Sequence, residues 1–179
     1  MEVPDQRVPA ANFADLALPI FDQLYNFAHW LTQDRDEAED LVQETYAKGL
    51  RGFQGFQPGT NFRAWMFRIL RNTFLTSRTG LKSTVPLEED ASEIASSDLS
   101  PEDLLLEQAN RDTVRQALNE LSIPFREILL LCDVEEMSYD EIAQVLTIPP
   151  GTVMSRLHRA RKALRVRLLE KSPGGVNAV

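Results

Sequence analysis

The chain contains few of the residues that build disulfides, metal sites or redox centres. Its 179 residues include one cysteine and two histidines. A single cysteine cannot form an internal disulfide, and so few ligands do not predict a structural zinc site or any other bound metal. Cys132 ends an aliphatic run. We therefore expect it to be a small buried group on a helix and not a reactive thiol.

Long apolar runs are also absent. No stretch approaches the ~20 residues that a membrane helix needs. The N-terminal sequence MEVPDQRVPAANFADL lacks the basic start and apolar segment of a secretion signal. We therefore expect a cytoplasmic protein. The chain has no GxxxxGK[ST] phosphate loop, so the sequence predicts no ATP-driven step and no cofactor.

Positive charge is scarce overall but concentrated in two places. The formal net charge is -8. Residues 48–82 carry seven basic residues and no acidic one, and residues 156–179 carry seven basic residues and one acidic one. Acidic segments lie between and before these blocks: residues 34–47 hold six acids and one base, and residues 83–107 hold eight acids and no base. Two separate cationic blocks suit a protein that contacts DNA at two places.

Apolar spacing predicts an all-α fold of two small helical domains. A first helix should bury a face made of Leu16, Ile20, Leu24, Phe27 and Leu31. A second helix should begin at the acids Asp34 and Asp36 and bury Ala38, Leu41, Val42 and Thr45. After a loop at residues 52–59, a third helix should bury Phe62, Trp65, Met66 and Ile69. The predicted domains are residues 10–80 and 105–171, joined by a flexible acidic linker at residues 81–104.

Residues 138–164 predict a helix-turn-helix. Ser138 and Glu141 have the spacing of a capping box at the start of a short helix. Two prolines and a glycine before Thr152 end that helix and make the turn. A second helix should run from about Thr152, with an inner face of Val153, Leu157, Ala160 and Leu164. This pair of helices is the arrangement that places the second helix in the major groove of DNA.

The outer face of that second helix is polar and basic. Arg159 can contact guanine through two hydrogen bonds, and the backbone amides of Gly151 and Thr152 can hold a phosphate. The runs Glu141-Ile142-Ala143, GTV at 151–153 and SRLHRAR at 155–161 closely resemble region 4 of extracytoplasmic-function sigma factors. The resemblance implies a domain that reads the -35 promoter element. The residues expected to bind this DNA are Gly151, Thr152, Met154, Ser155, Arg156, His158, Arg159, Arg161 and Lys162.

Residues 36–50 resemble the segment of the same family that docks on the coiled coil of the polymerase β′ clamp. The segment is acidic on the side away from its apolar stripe, and an acidic helix can pair with a basic coiled coil. The residues expected to bind polymerase are Asp36, Glu37, Glu39, Asp40, Gln43 and Glu44.

Residues 62–78 interleave aromatic and arginine side chains. Arginines can follow phosphates while aromatic rings stack on unpaired bases, at ~1–3 kcal/mol per base. The run resembles regions 2.3 and 2.4 of the family, which open and read the -10 element. Residues 56–61 align with the loop that holds a flipped base there, and Asn61 and Asn72 are the best candidates for reading base edges. The residues expected to contact -10 DNA are Phe56, Thr60, Asn61, Arg63, Trp65, Phe67, Arg68, Arg71 and Asn72.

Together these resemblances imply a sigma factor that is not an enzyme and needs no cofactor. Its expected partners are promoter DNA and core RNA polymerase, through the β′ clamp coiled coil and the β flap. The runs AEDLVQETYAK and GTVMSRLHR look nearest to the branch controlled by zinc-binding anti-sigma proteins. An anti-sigma factor is therefore a further expected partner.

Two other functions remain open from the residues alone. An ordinary helix-turn-helix regulator would bind duplex DNA by itself, although residues 36–78 would then have no explanation. Gel shifts with and without core polymerase separate that function from a sigma factor. An enzyme such as a DNA recombinase would need a nucleophile and paired acid–base groups, whereas the carboxylates here cluster on solvated helix faces and in the linker.

Overall fold

The computed structural model describes residues 12–79 and 111–171. Within these two ranges the regular structure is entirely helical, which confirms the all-α prediction. The chain divides after Leu75 into two compact units, and each is described by itself below. The linker predicted at residues 81–104 lies outside the described residues, as does the predicted start of the second domain at residue 105.

The first unit begins with a helix that proline interrupts. Helix α1 (Phe13–Ala17) starts at a capping box between Asn12 and Asp15. A 3-10 turn (Leu18–Ile20) follows, and α2 (Phe21–Thr32) comes next. The single first helix predicted from spacing was wrong, because Pro19 lacks the amide hydrogen that would continue the helix. The buried face is Ala17, Leu24, Phe27, Ala28 and Leu31, so Leu16 and Ile20 are only half-buried.

Helix α3 (Arg35–Gly52) packs against α2. Its N-cap is Asp34, whose carboxylate accepts a hydrogen bond from the Glu37 amide at 2.9 Å. This cap satisfies an amide that has no partner inside the helix. The predicted inner stripe is confirmed, since all four of its members are buried: Ala38, Leu41, Val42 and Thr45.

Helix α4 (Phe62–Thr79) buries a different stripe from the predicted one. Phe62 and Met66 are buried as expected, but Trp65 and Ile69 are only half-buried. Phe67, predicted to contact DNA, is completely buried. Its ring lies 5.3 Å from that of Phe27 in α2. The inner stripe continues through Leu70 and Phe74 at helical spacing.

The second unit contains α5 (Arg111–Asn119), α6 (Ile123–Leu129), a π-helical turn (Leu130–Val134), α7 (Tyr139–Leu146) and α8 (Pro150–Lys171). A buried arginine fastens α5 to α6. The Arg126 guanidinium donates to the carbonyls of Leu118, Asn119 and Leu121 at 3.0, 2.6 and 3.2 Å. It thereby satisfies carbonyls at the end of α5.

Helices α7 and α8 form the predicted helix-turn-helix. The capping box of Ser138 and Glu141 is present at the start of α7. Thr147 ends α7 in the left-handed region, with φ of 56°. Helix α8 begins at Pro150, slightly earlier than predicted, because proline suits a first helical position where no amide hydrogen is needed. The predicted inner face is confirmed: Val153, Leu157, Ala160 and Leu164 are all buried.

Candidate nucleic-acid and polymerase-binding surfaces

The first three turns of α8 present a polar and basic outer face. Met154 is 59% exposed, the largest exposure among the apolar side chains of this helix that the structure describes. His158 and Lys162 are exposed on the same side, while Ser155 and Arg159 are half-buried, as is Arg156. Because the inner face is fully buried, this outer face is the one that α8 can offer to a groove of DNA.

The start of α8 offers fewer amides than expected. The Thr152 amide donates to the Pro149 carbonyl at 3.0 Å, so it is already engaged. Gly151 is therefore the better phosphate-binding amide of the predicted pair. A Cβ atom at Gly151 would meet nothing within 4 Å, so the position is open to an approaching ligand.

Two arginines of α8 differ in their surroundings. The Arg159 Nε atom lies 3.4 Å from the Ser155 carbonyl of the preceding turn. Arg161 instead forms an ion pair with Asp133 of the π-helical turn, with 2.6 Å between Nη2 and Oδ1. The hydrogen bond to Asp133 is the main cause that raises the pKa of Arg161. Arg161 thus forms an ion pair within its own domain. Spacing along one helix did not predict this interaction.

In the first unit, a tight turn leads into α4. The Thr60 amide donates to the Gln57 carbonyl at 3.2 Å, and Gly59 has a φ of 87°. With Pro58 and Gly59 at the two central positions, this is the pattern of a type II turn. Asn61 then caps α4, because its Oδ1 atom accepts from the Ala64 amide at 2.9 Å. The side-chain oxygen of a predicted base reader is therefore used in the fold.

Aromatic rings surround this turn. The Phe56 ring lies 5.1 Å from Trp65, 5.3 Å from Phe62 and 5.9 Å from Phe53. Phe56 and Trp65 are both half-buried, so neither residue is fully enclosed by the cluster. These two rings are available for stacking, whereas the buried Phe67 is a core residue and the prediction that it binds DNA was wrong.

The outer face of α4 carries the remaining predicted DNA contacts. Trp65, Arg68 and Asn72 follow one another at spacings of three and four, so they share one side of the helix. Arg68 and Asn72 are exposed, and Arg71 is half-buried. Arg63 differs from these residues. Its Nε atom donates to Gln23 of α2 at 2.7 Å, so it joins two helices of the domain.

The acidic face of α3 is present, and its members differ in their partners. Glu39 pairs with Arg35 at 3.0 Å, and Glu44 lies 3.4 Å from Lys48. Asp36 and Glu37 are exposed in the first turn of the helix. Among the described residues, the exposed Asp40 and Gln43 have no hydrogen bond or ion pair. These two side chains can therefore meet a partner without breaking an interaction with the part of the chain that the structure describes.

An exposed leucine extends this face. Leu50 is 60% exposed. It follows Asp36, Asp40, Gln43 and Ala47 at alternating steps of four and three, which places all five on one side of α3. Leu50 was not among the residues predicted to bind polymerase, although it has the same helical spacing.

A groove runs beside this face between α2 and α3. It has a volume of about 580 Å³ and is lined by Phe21, Asp22, Tyr25, Arg35, Glu39, Val42, Gln43 and Tyr46. The Tyr46 hydroxyl donates to the Ala17 carbonyl at 2.6 Å. Burial, with a smaller contribution from Asp22, raises the pKa of Tyr46 to about 12. The groove could not be predicted from the sequence, because it depends on how two helices pack.

Other features of the described residues are limited. No helix there is long and apolar enough to cross a membrane. No group of three or more His, Cys, Asp and Glu residues in these ranges could hold a metal ion. Cys132 is half-buried in the π-helical turn, and burial raises the pKa of its thiol.

Comparison with known families identifies both units. Residues 21–84 match the model of sigma-70 region 2, and residues 111–164 match the model of sigma-70 region 4. The ECF RNA polymerase sigma factor SigE of Mycolicibacterium smegmatis is 38% identical over 84% of this chain, which spans 59% of that relative's length. The ECF RNA polymerase sigma factor EcfG of Rhodopseudomonas palustris is 35% identical, over 79% of this chain and 77% of its own.

A solved structure gives the same result. The sigma factor RpoE of Bartonella quintana, crystallised in complex with the anti-sigma factor NepR, superposes with a TM-score of 0.67 at 32% identity. The superposition covers 87% of this chain and 95% of that one. The chain therefore belongs to the extracytoplasmic-function (ECF) sigma factors of the sigma-70 family.

Proposed function

We propose that this protein binds core RNA polymerase and directs it to promoters by reading two DNA elements. The observation that carries the proposal is the presence of three different surfaces in one chain. The second unit presents the outer face of a helix-turn-helix. The first unit presents a cationic and aromatic face on α4 and an acidic face on α3. A helix-turn-helix regulator would need only the first of these surfaces.

The second unit is proposed to read the -35 element with α8. Met154, Ser155, His158 and Arg159 lie along its outer side near the N-terminal end, where a recognition helix meets base edges. Arg159 is the candidate for a two-bond contact with guanine, and the amide of Gly151 is the candidate for a phosphate contact. We further infer that this unit contacts the β flap when it is bound to polymerase.

The first unit is proposed to capture the -10 element in its single-stranded form. Trp65 and Phe56 offer partly exposed rings for stacking, and Arg68 and Arg71 offer charge for the phosphates. The turn at residues 57–60 lies beside these rings. Extruding a base costs a few kcal/mol, which stacking and hydrogen bonding in such a pocket can offset. In this mechanism the binding free energy of the open strand stabilises promoter opening.

The acidic face of α3 is proposed to dock on the β′ clamp coiled coil. Asp40 and Gln43 lie at its centre, with Leu50 as an apolar contact at one end. Acidic side chains opposite a basic coiled coil would supply complementary charge. A leucine that is 60% exposed would lose its contact with water on docking.

The docking surface is tested by measuring the affinity of the full chain for core polymerase. Asp40→Lys should weaken binding at least tenfold, because like charges at an interface cost several kcal/mol. Asp140→Lys makes the same change at an exposed acid of the second unit, and it should bind with an affinity close to that of the wild type. Equal binding by wild type and Asp40→Lys would refute the docking assignment.

We also infer that an anti-sigma factor controls this protein. The solved relative at 32% identity was crystallised with such a protein, and the runs AEDLVQETYAK and GTVMSRLHR favour the zinc-binding class. A complex purified with the native partner should release zinc on denaturation if the partner is of that class. A stable complex without zinc would assign another class of anti-sigma factor.

A chain acting on polymerase is expected in the cytoplasm.

A further inference from the structure

The ion pair between Arg161 and Asp133 joins the recognition helix to the segment that precedes the helix-turn-helix. The two atoms Nη2 and Oδ1 lie 2.6 Å apart, and the side chains are 45% and 41% exposed. This is the length of a charge-assisted hydrogen bond, the stronger kind in proteins. The same Nη2 atom lies 3.8 Å from the Cys132 sulfur, so two neighbouring residues of the turn contact one guanidinium.

Asp133 owes its position to an unusual backbone. Residues Leu130–Val134 form a π-helical turn, in which the Glu135 amide donates to the Leu130 carbonyl at 2.9 Å. Such turns are rare and are often found at functional sites. Here the π-helical turn places Asp133 against α8, where it pairs with Arg161.

Arg161 also lies on the side of α8 that is available to DNA. It follows Met154 and His158 at spacings of four and three, which places all three on one side of the helix. Because Arg161 is nearly half exposed, a phosphate could reach its guanidinium if Asp133 released it. The ion pair therefore neutralises the charge of Arg161, one of the residues predicted to bind DNA.

We propose that Asp133 is a positioning residue that sets the DNA specificity of this protein. Its carboxylate pairs with the Arg161 guanidinium. This ion pair links α8 to the π-helical turn and keeps one cation from the DNA phosphates. Phosphate contacts supply binding that is independent of sequence. By limiting them, Asp133 favours contacts to bases over general attraction to DNA. This inference rests on the proposed binding of DNA by α8.

The inference is tested by the salt dependence with which the full chain binds a 30-bp duplex of random sequence. Each phosphate contact contributes about 0.9 to the slope of log K against log salt. Asp133→Asn should free Arg161, so the slope should steepen by about 0.9, and binding should tighten more at low salt. Arg161→Gln should leave the wild-type slope unchanged, because its charge is already neutralised by Asp133.

The double variant separates the two charges. If the steeper slope comes from Arg161, adding Arg161→Gln to Asp133→Asn should restore the wild-type slope. Asp133→Glu should keep the pair and the wild-type slope. Asp140→Asn removes an equal charge from an exposed acid of the same unit and should also change nothing. Circular dichroism confirms that each variant is folded.

Four results would overturn the inference. The first is a wild-type slope for Asp133→Asn, and the second is a slope for Arg161→Gln that falls by about 0.9. The third is a steeper slope that persists in the double variant, which would assign the effect to Asp133 alone. Failure of Asp133→Asn to bind the duplex at any salt concentration also counts against it. Core-dependent transcription, scored separately with the same preparations, shows whether the proposed sigma function itself has failed.

Discussion

Arg159 and Arg161 lie two residues apart on one helix, yet their contacts differ. Arg159 contacts a carbonyl of its own helix at 3.4 Å, and Arg161 is paired with a carboxylate 28 positions away in the chain. The carboxylate of Asp133 offsets the charge of Arg161. At this scale, the contacts of a side chain distinguish residues that spacing along the helix treats alike.

Replacement of Arg159 should alter base preference. If Arg159 makes the proposed two-bond contact with guanine, Arg159→Ala should cost about 1–3 kcal/mol on the correct -35 sequence and relax the preference at one position. The measurement is holoenzyme affinity for a panel of promoters that differ at single -35 positions. Lys162→Ala is the control and should weaken binding evenly. An equally even loss for Arg159→Ala would show that it contacts phosphate only.

The raised pKa of Tyr46 should make the free energy of unfolding of the first unit fall at alkaline pH. Its pKa is raised to about 12, against an ordinary value of about 10. The folded chain therefore keeps a proton that the unfolded chain releases. The stabilisation is complete below about pH 10 and is lost as the pH rises towards 12.

Tyr46→Phe should remove this dependence. The variant should be less stable at pH 8 by about 1 kcal/mol, because the hydrogen bond to Ala17 is lost. Its free energy of unfolding should then fall less steeply between pH 10 and pH 12. The fluorescence of the chain's two tryptophans, Trp30 and Trp65, reports on the first unit alone. An identical decline in wild type and variant would contradict the role given to Tyr46.

At the scale of elements, the residue that precedes α4 has a structural role and a proposed role in reading DNA. Asn61 caps the helix through Oδ1, while its amide nitrogen is the group that could donate to a base. Asn61→Asp keeps the acceptor and suits the helix N-terminus. Asn61→Ala removes both groups.

These two variants should separate capping from recognition. Asn61→Ala should lower the free energy of unfolding of the first unit by about 1 kcal/mol, whereas Asn61→Asp should be close to wild type. Both should reduce open-complex formation if the amide reads a base. Tryptophan fluorescence in urea and permanganate reactivity of the promoter measure the two effects. Wild-type opening by Asn61→Asp would exclude Asn61 as a base reader.

The sequence predicted the buried faces of some helices well, because their apolar spacing was compatible with only one inner face. In α3 and α8 the predicted inner residues follow one stripe at helical spacing, and all eight of them are buried. The capping box at Ser138 and Glu141 was likewise fixed by local chemistry.

Other elements could not be predicted from local spacing. Helix α4 has aromatic residues on several sides, so more than one stripe was compatible with its sequence. Packing against Phe27 of α2 buries Phe67 and leaves Trp65 half-buried. The pairing of Asp133 with Arg161 joins residues far apart in the chain, which spacing within one helix cannot reveal. The sequence did contain one unused signal: Leu50 has the helical spacing of the proposed docking face.

At the scale of the whole molecule, the account requires two DNA-reading surfaces that direct initiation only when polymerase carries them. The chain has a net charge of -8, which opposes binding of the free protein to arbitrary DNA. Core polymerase would place both surfaces on one promoter. The protein should therefore direct initiation while binding duplex DNA only weakly alone.

The most direct measurement is the mapping of transcript starts made by purified core polymerase on genomic DNA, with and without this chain. The account predicts new start sites that share a pair of upstream elements and that disappear when Asp40→Lys replaces the wild type. Start sites that are identical without the protein, or undiminished with Asp40→Lys, would contradict it.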